Sequence, residues 1–151
     1  MNLKALVGSG DKIGLLVLPV LAIGLALNVL FPTVFRVGGP SPVLRAISIL
    51  LLIPGVAIWL WSVVLILTKV PKKELITGGP YALVKHPLYT GVALLVLPWL
   101  GFLFDTWLGA LAGIVLYVAS RLFSPAEERA LAQAFGPAWD AYIAKVKLPW
   151  L

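Results

Sequence analysis

Between Ile13 and Phe35 this chain carries no charged side chain. That run exceeds the ~20 residues a helix needs to cross a hydrocarbon layer. No water pairs with the backbone inside such a layer, so a chain that enters it this way must be helical there. Three more apolar runs follow, at about Val43 to Leu67, Tyr89 to Phe104 and Trp107 to Phe123. The pattern predicts an all-α integral membrane protein of about four transmembrane helices, with residues 1–151 forming one domain. The third and fourth runs are near the lower limit for spanning. Only Asp105 and Thr106 separate them, so they are expected to form a tight hairpin or a partly re-entrant pair. Pro19 and Pro54 are expected to kink the first two helices.

With four spans, the N-terminus, the loop from Thr68 to Leu88 and the C-terminal tail share one side. That side holds Lys4, Lys12, Lys69, Lys72, Lys73, Lys85, Arg121, Arg129, Lys145 and Lys147, against Arg36 and Arg45 on the other. Loops rich in Lys and Arg stay in the cytoplasm, which places both termini and the middle loop there. The net charge of +6 does not point to nucleic acid, because the basic residues flank apolar runs instead of forming a patch. Lys4 and Lys12 precede the first run as in a signal peptide, but the run is too long for a signal core and lacks a small-residue cleavage site. Six Trp and four Tyr suit two membrane–water interfaces. The chain has no cysteine and one histidine, which excludes thiolate chemistry and argues against a histidine metal site, so no metal is expected.

The tail, residues 124–151, has a different pattern. Leu131, Phe135, Trp139, Tyr142 and Val146 recur at helical spacing among Glu127, Glu128, Arg129, Asp140 and Lys145. This predicts an amphipathic segment on the cytoplasmic interface, broken into two short helices at Gly136-Pro137.

Two polar clusters carry possible chemistry. One runs from Gly78 through Tyr81, Lys85, His86, Pro87 and Tyr89 to Gly91, at the entrance to the third span. The other is Ser124-Pro125-Ala126-Glu127-Glu128, at the exit of the fourth. A hairpin would bring His86, Tyr89 and the glutamates together, and ionisable groups at a membrane edge are functional candidates. Each also has a structural role open to it. His86-Pro87 can start a helix. Tyr81 and Tyr89 can anchor at the interface. Ser124 to Glu127 matches a capping box, and Glu128 can be a solvated charge.

Taken together, Gly79-Pro80-Tyr81, Lys85-His86-Pro87-Leu88-Tyr89-Thr90-Gly91 and Glu127-Glu128 resemble the signature of the isoprenylcysteine carboxyl methyltransferases and, more distantly, the phospholipid N-methyltransferases. The likeness continues through Leu131, Phe135-Gly136, Trp139, Tyr142 and Pro149, so it runs from about Ile76 to Pro149. Lys85 stands where that signature has arginine, which keeps the charge and loses the bidentate fork. Trp139 replaces a tyrosine.

The resemblance implies S-adenosylmethionine as methyl donor, bound under the tail, with Tyr81, Lys85, His86, Pro87, Tyr89, Gly91, Glu127 and Glu128 as binding residues. Glu127 or Glu128 can accept from ribose or ammonium groups. Tyr81, Tyr89 or Trp139 can lie against adenine or the sulfonium. Gly91 would allow a ligand close to the backbone. The acceptor is expected to be lipophilic (an isoprenylcysteine-type carboxylate, a lipid amine or a thiol) and to arrive through the bilayer. Tyr142 and Lys145 are candidate acceptor contacts, although Lys145 and Arg121 also serve as interface anchors. His86 is a candidate base if the acceptor is an amine. Two other readings stay open. A sterol-type membrane reductase using a nicotinamide cofactor has a similar helix start, with asparagine in place of histidine. A non-enzymatic membrane scaffold would use the same polar groups only as caps and anchors.

Overall fold

The structure is a computed structural model that describes residues 10–39 and 41–151; Lys4 lies outside them. The described residues are helical without a named strand. Helix α1 is Gly10–Leu30, and a short α2, Pro32–Phe35, follows it. Helix α3 is Pro42–Lys69. Helix α4 is Pro87–Leu103, helix α5 is Leu108–Phe135 and helix α6 is Pro137–Ile143.

Three of these are long and apolar enough to cross a membrane, namely α1, α3 and α5. Helix α4 is apolar but shorter, roughly 25 Å at 1.5 Å per residue. Leu15, Val29 and Leu50 leave 79, 78 and 70% of their surfaces uncovered by protein. Side chains that apolar need hydrocarbon around them, and the protein is an integral membrane protein. The two fully buried hydroxyls of α3 are satisfied within that helix. Ser48 and Ser62 donate to the carbonyls of Leu44 and Ile58, one turn earlier, at 2.7 Å each.

The helices alternate in direction. At one end, Trp107 N donates to Phe35 O at 3.0 Å, and the two rings stack at 5.0 Å. Asn28, the polar side chain inside α1, accepts from Thr106 Oγ1 at 3.0 Å. The start of α1, the loop between α3 and α4, and the end of α5 gather at the opposite end. There a Cβ added to Gly10 would lie 3.3 Å from the Tyr89 hydroxyl.

The expected hairpin is present, and α4 and α5 are close-packed along it. A Cβ on Gly101 would lie 2.8 Å from the Cα of Gly109. One on Gly109 would collide with the Leu97 carbonyl, and one on Gly113 with the Ala93 carbonyl. Glycines four apart on one helix face allow backbones this close. Helix α4 widens into a π-helical turn at Val92–Val96, just before Pro98, whose missing N–H releases the carbonyl four residues earlier. Helix α3 packs onto that turn, where a Cβ on Gly55 would lie 2.7 Å from the Leu95 Cβ. Ile13 and Val17 of α1 complete the core with Ala93, Leu116 and Ala119.

Two expectations are corrected. The fourth apolar helix does not stop at Phe123 but runs through Pro125 to Phe135, so the first half of the tail is the continuation of a spanning helix. Ser124 therefore sits inside a helix and caps nothing. It is buried, and its hydroxyl has no hydrogen-bond partner among the described residues. The break at Gly136-Pro137 does occur, with Gly136 at φ +50°.

Valine at Gly109 or Gly113 is expected to destabilise the protein by at least about 1–3 kcal/mol, because a backbone carbonyl cannot move aside. Gly14→Ala, whose Cβ meets nothing within 4 Å, is expected to stay within about 0.5 kcal/mol of the parent. Thermal unfolding in detergent measures both, and equal stability of the three variants would refute this account of the hairpin.

Candidate functional site

The site begins with the chain between α3 and α4. Its conformation is irregular but anchored. Gly79 has φ +62°, and a Cβ there would lie 2.9 Å from the Trp61 ring. Tyr81 and the 79–84 segment are held from above by the tail. Tyr142 Oη donates to Tyr81 O at 2.9 Å, Lys147 N donates to Ala82 O at 3.3 Å, and Leu148 N donates to Leu83 O at 2.8 Å. Burial pushes the Tyr142 phenol up to about 12, with the Glu128 charge adding to the effect, so the hydroxyl keeps its proton and remains a donor. Burial likewise raises the Tyr81 phenol, and the Glu127 charge raises it further.

His86 precedes α4, and Pro87 occupies its first turn, where a missing N–H costs nothing. The hairpin sets the end of α5 beside this start. Glu128 Oε1 then lies 2.6 Å from Lys85 Nζ and 3.1 Å from His86 Nε2. One carboxylate thus fixes two neighbouring side chains that are largely buried. Glu127, one residue back and about 100° around the helix, faces a cavity.

That cavity has a volume of about 700 Å³ including its open mouth. Its polar wall contains Lys85, His86, Tyr89 and Glu127, and its aromatic wall Tyr81, Phe135, Trp139 and Tyr142. A cavity with charged groups at one wall and aromatic faces at another suits a polar organic ligand that carries both a cation and a flat ring.

The residues singled out from the sequence fall into three groups. Tyr81, Lys85, His86, Tyr89, Glu127 and Tyr142 line the cavity. Glu128 stands behind it and grips Lys85 and His86. Pro87, Gly91 and Lys145 are not among the lining residues. Pro87 is buried at the helix start, and Lys145 is exposed. At Gly91 a Cβ would lie 3.2 Å from Ile58 Cγ2, so its missing side chain makes room for α3.

The structure also adds Glu74, which lines the cavity and pairs with Lys69 at 2.7 Å. Its hydrogen bond with the Lys69 ammonium holds its carboxyl below the usual range. The available signal was that Glu74 is the one acidic residue between Lys69 and Lys85.

A model of the isoprenylcysteine carboxyl methyltransferase family matches residues 44–133. The chain belongs to that family. No curated protein and no solved structure matches it. Membership implies a membrane methyltransferase, and methyltransferases of this family generally use S-adenosylmethionine. The stretch matched to the isoprenylcysteine carboxyl methyltransferases covers α3, α4 and nearly all of α5, and hence every residue from Lys69 to Glu128 described above. Helix α1 and the tail from Ala134 onward lie outside it, including Trp139 and Tyr142 of the cavity wall.

Tyr142→Phe removes the hydroxyl that satisfies Tyr81 O. The expected loss is about 0.5–1.5 kcal/mol, with faster proteolytic cutting in the 79–84 loop. Unchanged cutting and unfolding would show that the loop is held by other contacts.

Proposed function

We propose that the cavity binds S-adenosylmethionine and that the protein transfers its methyl group to a lipophilic acceptor. The observation that carries this reading is the pairing of Glu128 with Lys85 and His86 at the wall of an aromatic cavity, inside the segment matched to the family.

The residues present fit the donor. When bound, S-adenosylmethionine supplies a methyl group on a positively charged sulfur, open to direct displacement by an oxygen, nitrogen or sulfur nucleophile. The faces of Tyr81, Tyr89 and Trp139 offer a cation the negative side of an aromatic ring. Glu127 can accept hydrogen bonds from ribose hydroxyls, and Lys85 and His86 can present donors that Glu128 has already oriented. Glu128 is thus a positioning residue. Its pairs are made before any ligand arrives, so binding does not have to order them.

The apolar wall, with Leu88 and Leu131, belongs to the same helices that meet lipid. An acceptor with a long hydrocarbon chain can keep that chain in the bilayer while its reactive group reaches the cavity. An isoprenylcysteine-type carboxylate or a thiolate needs no base, and the chain's task is then to align the two reactants and exclude water. A lipid amine must lose a proton, and His86 or a glutamate can take it. The surplus of Lys and Arg at the cavity end supports a cytoplasmic location for it.

Calorimetric titration of the detergent-solubilised protein with S-adenosylmethionine tests the proposal. Saturable binding is expected, weakened at least tenfold, or about 1.4 kcal/mol, by Glu128→Gln and by His86→Ala in protein that melts normally. Folded protein that shows no heat of binding at millimolar ligand would overturn it.

A further inference from the structure

We propose that Lys69 and Glu74 form a subsite for a zwitterionic α-amino acid group, and that this subsite takes the amino-acid end of the methyl donor. The inference rests on the S-adenosylmethionine reading above and assigns a role to a pair outside the Lys85–His86–Glu128 cluster.

Lys69 ends α3, and Glu74 lies in the turn that follows. Their side chains meet at 2.7 Å, and Glu74 lines the cavity. The pair is well exposed, with 40 and 48% of its side-chain surfaces accessible. An exposed pair of this kind adds little to stability. The turn that produces it is a left-handed helix cap. Lys73 has φ +58°, the left-handed region that lysine rarely enters. With Lys73 so placed, Glu74 N bonds back to Lys69 O at 3.1 Å. The chain reverses there, and the carboxylate lies at the cavity. Left-handed residues other than glycine are uncommon and are often found at ligand sites. Lys73 N also bonds to Val70 O at 3.0 Å, so the turn closes the end of the helix and fixes where Glu74 lies.

The chemistry is complementary. An ammonium and a carboxylate side by side present the mirror of an α-amino acid zwitterion. The ligand's carboxylate can take hydrogens from Lys69, which has three to give, and its ammonium can donate to Glu74, which has more than one acceptor position. The four charges then alternate, and the original pair need not break. The other polar group of the cavity differs in kind. There the carboxylate paired with Lys85, Glu128, stands behind the cavity, and Tyr89 and Glu127 offer a phenol and a carboxylate suited to hydroxyls. A donor with ribose at one end and an amino acid at the other matches two such unlike polar groups.

Two probes separate the ends of the ligand. S-adenosylhomocysteine carries the amino-acid end, and 5′-methylthioadenosine lacks it. Both are titrated into the full-length protein in detergent, alongside Glu74→Gln and Lys69→Met, with melting curves as a check on folding. The parent protein is expected to prefer S-adenosylhomocysteine. Each substitution is expected to weaken S-adenosylhomocysteine about tenfold or more and to leave 5′-methylthioadenosine within about twofold, so the preference collapses. Parallel losses for the two ligands, or no loss for either, would overturn the subsite while leaving the donor cavity in place. A parent protein that binds neither probe would overturn the methyltransferase reading and the subsite with it.

Discussion

Where Gly101 meets Gly109, two helix backbones touch with no side chain between them. That contact decides what can happen tens of ångströms away. With α4 and α5 pressed together from their connecting turn onward, through Gly113 against the Ala93 carbonyl, their far ends have no freedom to separate. His86 at the start of α4 and Glu128 near the end of α5 are 42 residues apart in sequence and share a hydrogen bond. A wedge in the hairpin would open that distance first. Lipid tails are as apolar as the side chains they would replace, so close packing, more than exclusion of water, holds the hairpin shut.

The second constraint is the position of charge. The helices bury almost nothing ionisable in their middles, and Ser48, Ser62 and Asn28 there are each paired within the protein. Chemistry is therefore pushed to one end, where the loop before α4, the end of α5 and the tail meet. The Glu128 carboxylate links the first two of these, and the backbone bonds from Lys147 and Leu148 link the third to the loop. Each is a polar contact between parts of the chain that the apolar packing has already brought close.

Much of this was legible in the sequence, for physical reasons. A hydrocarbon environment demands long apolar runs, and those runs mark the helices within a few residues. The turn at Asp105-Thr106 leaves room only for a hairpin, and the polar clusters at its open end follow. The misread features share a cause: one residue type answers two demands. Ser124-Pro125-Ala126-Glu127 has the composition of a helix start, yet the helix continues, because carrying it to Phe135 buries Leu131 and Phe135 against Trp139, Tyr142 and Val146. Gly91 looks like room for a ligand and proves to be room for Ile58. The 109–113 glycine pair was visible as a spacing but has meaning only once its partner helix is known. Glu74 belongs to no sequence motif, and only the fold brings it to the cavity.

The cavity wall is drawn from five separate parts of the chain: Ile66 in α3, Glu74 to Tyr81 in the loop, Tyr89 in α4, Leu131 in α5 and Tyr142 in α6. A molecule held there acts as a non-covalent crosslink among segments that are otherwise joined only in series. Anything that binds the folded form alone stabilises it by RT ln(1 + [L]/Kd). Because the contacts span four of the six helices and the loop before α4, that energy is felt well beyond one loop. Resistance to heat, detergent and proteases should therefore rise together in the occupied protein.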